Sequence, residues 1–110
     1  MKSILMTVSI VAALFCASTL SAAGNAAAGK DLYMKKCAGC HGNDGEGKDQ
    51  IAQLMKIKFV PLGSKEAQSK SDAELKKIML EGKDPMKPVK DLTGANADDI
   101  VAFLRTIAKK

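Results

Sequence analysis

The clearest hydrophobic repeat in this chain lies near its C-terminus, where Ile100, Phe103, Leu104 and Ile107 recur at i, i+3, i+4 and i+7. That spacing gathers four apolar side chains on one face of a helix of period 3.6. Asn96, followed by Asp98 and Asp99, has the chemistry of its start: a side-chain oxygen accepts from a free amide, and acids suit the positive end of the dipole. A second stripe, Leu75, Ile78 and Met79, follows Ser71-Asp72-Ala73-Glu74, which has the form of a capping box, and Gly82 ends it. Ile51, Leu54, Met55 and Ile57 also have helical spacing, closed by Pro61 and Gly63. Lys30 to Lys36 reads as a short helix behind helix-favouring alanines at 26 to 28. Gly29 and Tyr33, four apart, share one face of it, and the glycine marks either the helix start or a place where another backbone comes close.

Between these stripes the pattern breaks. Gly42 to Asp49 holds three glycines and no apolar residue, which makes it a loop, and Asp84 to Leu92 carries Pro85 and Pro88 and cannot be a regular helix. The glycine-rich loop from Gly42 to Asp49 lacks the spacing of a calcium loop and the G-K-[ST] of a phosphate loop. The expectation is an all-α single domain of about four short helices, with no internal repeat and no linker.

The N-terminus follows a different rule. After Lys2, Ile4 to Leu20 is an uncharged, mainly apolar stretch, and Ser21-Ala22-Ala23 offers the small residues a signal peptidase needs. Residues 1–23 therefore read as a cleaved export signal, with the alanines at 26 to 28 as a fallback site, and 24–110 as the mature domain. An uncleaved anchor is the competing reading, since this stretch sits at the lower edge of a membrane span. Cys16 is expected to leave with the signal; Phe15 before it argues against lipoprotein processing. The expected location is the periplasm of a Gram-negative bacterium, without stable membrane insertion after cleavage.

The formal charge is +5, carried mostly by lysines. Nucleic-acid binding does not follow, because the chain is exported and lacks aromatic residues interleaved with the basic ones. Downstream of the signal the aromatics are Tyr33, Phe59 and Phe103 alone. So small a domain with so few large side chains needs a staple, whether disulfide, metal or cofactor.

Cys37-Ala38-Gly39-Cys40-His41 supplies a candidate. C-x-x-C-H is the attachment sequence of a c-type haem: the thiols of Cys37 and Cys40 add across the porphyrin vinyl groups, and His41 becomes the proximal iron ligand. One covalently bound haem c per chain is expected, and it is the staple. The competitors are weaker. A zinc site needs a second ligand pair, yet His41 is the sole histidine and Cys16 the only other cysteine. A thioredoxin-like pair belongs beside a βαβ pattern, which is absent from the periodicity.

The single histidine also limits the opposite face of the iron to a methionine or to no protein ligand. Met55 and Met79 lie at core-like helical positions and Met34 on the helix that delivers the cysteines. Met86 lies in Asp84-Pro85-Met86-Lys87-Pro88, where two prolines restrict the backbone and reduce the entropy lost on ligation. Met86 is the expected distal ligand, with Met55 as second choice.

These residues resemble a small bacterial class I cytochrome c over nearly all of 24–110. Gly29 and Tyr33 match the family's glycine and aromatic on its first helix, Cys37, Cys40 and His41 its haem signature, Met86 its distal methionine, and Ile100, Phe103 and Leu104 its last helix. The resemblance implies a helical cytochrome c fold around the haem and single-electron transfer rather than enzyme catalysis. It also implies a proline carbonyl as acceptor for the ring N–H of His41, for which Pro61 is a candidate. The alternative is a haem-based ligand sensor or peroxidase-like protein with an open distal site. Lys83, Lys87 and Lys90, with Lys35 and Lys36, could steer a monomeric carrier to redox partners with acidic docking surfaces.

Overall fold

A computed structural model describes residues 24–109; the expected export signal, 1–23, and Lys110 lie outside the described residues. Six helical segments follow in order: α1 (Ala26–Lys36), α2 (Ala38–His41), α3 (Asp49–Met55), α4 (Lys65–Gln68), α5 (Asp72–Glu81) and α6 (Gly94–Thr106). Four of them answer the expected stripes; α2 and α4 are single turns. The described residues hold no strand, only an isolated bridge between Lys83 and Met86. The fold is all-α, as expected.

α1 begins at Ala26, earlier than Lys30, because Asn25 Oδ1 accepts from the Ala28 amide at 3.0 Å and the alanines then propagate the helix. Lys35 and Lys36 occupy its last turn, where cations suit the dipole. α6 likewise starts two residues before Asn96: Thr93 is the cap, its Oγ1 accepting from Asn96 N at 3.0 Å. Asp98 and Asp99 are then free for tertiary work. Asp98 pairs with Lys76 at 3.1 Å, and Asp99 Oδ1 accepts from Asn25 N at 2.7 Å. The Ser71 cap of α5 is as expected, with Ser71 Oγ accepting from Glu74 N at 3.1 Å. Gly82 ends that helix.

The core forms where α1 crosses α6 and α5 packs beside them. A Cβ placed on Gly29 would overlap the carbonyl oxygen of Asp99, so the two backbones are in contact there. The tight crossing brings the Tyr33 ring to 5.1 Å from that of Phe103, tilted by 49°. Tyr33 and Ile100 are wholly enclosed, with Leu75, Met79, Val101, Phe103 and Leu104 around them.

Two findings depart from the sequence pattern. α3 buries none of its residues: Leu54 is 79% exposed and Met55 43%. Its apolar positions stay outside the core, because the seven-residue helix ends at Lys56, in the left-handed conformation, without reaching it. α4 is a turn that no periodicity announced. It is capped by Ser64 Oγ, which accepts from Ala67 N at 3.2 Å.

That turn feeds a polar network. Gln68 Nε2 donates to the Leu62 and Leu104 carbonyls at 2.8 and 2.9 Å. Arg105, from α6, donates to the Gln68 and Lys70 carbonyls at 2.9 and 2.8 Å, and to Asp72 Oδ1 from Nη2 at 2.6 Å. One guanidinium thus closes the 62–72 segment onto α6.

Candidate functional site

The site is built where α1 passes into α2. Cys37 N donates to Tyr33 O at 2.8 Å to close α1, and His41 N donates to Cys37 O at 2.9 Å to form the next turn. Helical geometry places the side chains at i, i+3 and i+4 on one side. Cys37, Cys40 and His41 are therefore brought together by local structure alone. The following loop folds back on them, with Gly47 N donating to His41 O at 2.7 Å and Lys48 N to Cys40 O at 3.0 Å. From below, the buried Tyr33 hydroxyl donates to Gly42 O at 2.6 Å. Burial pushes its pKa up to about 12, reinforced by the nearby Cys37 sulfur and Asp44 carboxylate.

Both cysteines are free thiols, Cys37 half-buried and Cys40 exposed. Burial pushes the Cys37 thiol up to about 11, against the opposing charge of Lys36. The His41 ring is held below its ordinary pKa by burial, which keeps the imidazole neutral and its lone pair available. Phe59 stands edge-on to it, centroids 5.3 Å apart. His41 Nδ1 is buried with no hydrogen-bond partner. Pro61 does not orient it; the Pro61 carbonyl accepts instead from Ser64 N at 3.0 Å. Among the described residues, no group of three or more His, Cys, Asp or Glu side chains could hold a metal ion.

Met86 lies on a separate segment. Lys83 N donates to Met86 O at 2.9 Å and Met86 N to Lys83 O at 2.7 Å, a closed turn around Asp84 and Pro85. Gly82 makes room for it: its φ is +80°, and a Cβ there would sit 2.8 Å from Met86 O and Pro88 N. Val89 N donates to Met79 O at 2.9 Å, fixing the exit of the loop to α5. A further link reaches the cysteine turn, where Lys36 Nζ donates to Lys90 O at 3.1 Å. Met86 is half-buried, whereas Met79 is 5% exposed in the core and Met34 and Met55 are 38% and 43% exposed.

The sequence matches the family model Cytochrome c over residues 26–108. The chain belongs to the cytochrome c family. Solved structures similar to this cytochrome include two c-type cytochromes. The c-type cytochrome KustC0563 is 30% identical with a TM-score of 0.64, over 74% of this chain and 98% of that one. Cytochrome cL from Hyphomicrobium denitrificans is 27% identical with a TM-score of 0.58, over 76% of this chain and 48% of that one, so this cytochrome spans about half its length. No curated protein matches the sequence.

A cytochrome c carries covalently bound haem c and acts in electron transfer. The donors of this chain fit that group: two unpaired thiols one helical turn apart, a neutral imidazole directly after them, and uncovered apolar side chains at Leu54, Met55 and Val60. Sequence reasoning missed Phe59 beside His41, the Gln68 and Arg105 network, and the Lys36 link. Only Ser64, a capping residue ahead of Glu66, carried a local signal for any of these.

Proposed function

We propose that this cytochrome c is an exported, periplasmic carrier of single electrons. Its haem is joined to Cys37 and Cys40, with His41 as proximal and Met86 as distal iron ligand. The observation that carries the reading is the loop from Gly82 to Lys90, fixed by backbone hydrogen bonds within itself and to α5, and by the Lys36 side chain to α1. A methionine presented by so constrained a backbone loses little entropy on ligation and stays in place in both oxidation states. The other methionines are disfavoured by their settings, Met79 by core packing, Met34 by its place on the helix that delivers the cysteines and Met55 by its place at the end of α3. The bound haem supplies a one-electron iron couple, and a neutral thioether favours its ferrous form.

Met86→His is expected to lower the reduction potential, and Met86→Ala to abolish the weak red charge-transfer band of sulfur on ferric haem. A folded Met86→His variant with unchanged potential would rule out Met86 as the ligand. Rapid carbon monoxide binding by the native ferrous protein would replace the closed carrier with the open-site reading.

Lys83, Lys87 and Lys90 are exposed on the Met86 loop, and Lys35 and Lys36 on the neighbouring end of α1. The Lys36 to Lys90 hydrogen bond joins the two groups into one basic surface, suited to acidic redox partners of a monomeric carrier. The second-order electron-transfer rate with such a partner should fall as salt is added; a flat response sinks the docking assignment.

A further inference from the structure

Residues 24 and 25 are tied to α6 by their backbone. Asn25 N–H donates to Asp99 Oδ1 at 2.7 Å while the Asn25 side chain caps α1. A Cβ placed on Gly24 would overlap both Asp99 Oδ1 and the Asp99 amide nitrogen. Only glycine fits there, and the Gly24 nitrogen is two bonds from the position such a Cβ would take.

We propose that the chain is cut at the Ala23–Gly24 bond and that the released Gly24 α-ammonium binds the Asp99 carboxylate, completing a clasp between α1 and α6. The proposal rests on the export reading. In the hydrolysis, water adds across the amide; the C–N bond breaks, Ala23 leaves as a carboxylate, and the Gly24 nitrogen takes up protons. A neutral amide thus becomes a cation beside Asp99 only after the cut. A carboxylate offers about four lone-pair directions, and the Asn25 N–H uses one of them. The surrounding charges leave Asp99 available. On α6 and α5, Asp98 and Lys76 pair with each other at 3.1 Å, and the first turn of α1 holds no acidic residue, with Lys30 and Asp31 further along. A cut at the alanines 26 to 28 would remove Asn25, and with it both the cap of α1 and the hydrogen bond to Asp99.

The test uses the exported, haem-loaded protein. Intact mass should place the N-terminus at Gly24, and NMR titration of the α-amine should give a pKa about half a unit above its ordinary ~7.7–8.0. Asp99→Asn, which keeps an oxygen for the Asn25 N–H, should return it to the ordinary range. A mature form made one residue longer, retaining Ala23, moves the amine by about 3.8 Å and should do the same. An N-terminus elsewhere in the exported protein, or an α-amine that titrates alike in native protein and both variants, overturns the proposal and leaves the carrier reading standing. Retention of Met1 overturns signal cleavage altogether and replaces it with the uncleaved anchor.

Discussion

Replacing Gly29 by alanine sets two opposed effects against each other. Alanine is about 1 kcal/mol better than glycine inside a helix, and residue 29 sits within α1, so propensity alone predicts a gain. The added methyl, however, would overlap the Asp99 carbonyl oxygen and crowd the Ile100 amide. These are backbone atoms of α6, which cannot rotate away as a side-chain end could; the helices must separate. Overpacking costs about 1–3 kcal/mol, and contact with rigid backbone places this case at the upper end. Separation also loosens the Tyr33 and Phe103 rings, now 5.1 Å apart, a pair worth about 1 kcal/mol beyond its buried area. The net expectation is a loss of about 2–3 kcal/mol, which in a domain of this size lowers Tm by roughly 8–24 °C. Thermal unfolding of the haem-loaded protein, followed by far-ultraviolet circular dichroism, measures it. A Gly29→Ala variant as stable as the native protein would refute the close crossing.

Tyr33→Phe leaves the Gly42 carbonyl without its 2.6 Å donor and should cost about 1–3 kcal/mol at neutral pH. Because the folded pKa is raised to about 12 from an ordinary 10, the unfolded chain ionises first as pH rises. The native protein should therefore lose stability between pH 10 and 12 while the variant does not, so their difference narrows there; parallel denaturant midpoints across that range would contradict the buried hydroxyl. Arg105→Lys should lower the urea midpoint by an amount equivalent to about 2 kcal/mol, since an ammonium cannot reproduce the planar fork that serves Gln68, Lys70 and Asp72 together. Faster amide exchange over 62–70 should accompany it, and unchanged exchange would show that Arg105 does not hold that segment.

Local chemistry in the sequence was enough for the cysteine turn and for most helices. The C-x-x-C-H run places its own thiols and imidazole, because i, i+3 and i+4 positions converge wherever a helical turn forms. The stripes at 75–79 and 100–107 named the core for the same reason, and Ser71 and Gly82 marked real helix ends. Tertiary structure decided what depends on residues far apart. With α6 started locally by the Thr93 cap, it paired Asp98 with Lys76 and Asp99 with Asn25, partners that no local propensity encodes. The apolar positions of α3 lie outside the protein core, since hydrophobic spacing specifies a face but not what covers it. The helix crossing, too, chose between two meanings of Gly29: the sequence allowed a start or a close approach, and only the carbonyl of Asp99 against it decided for the second.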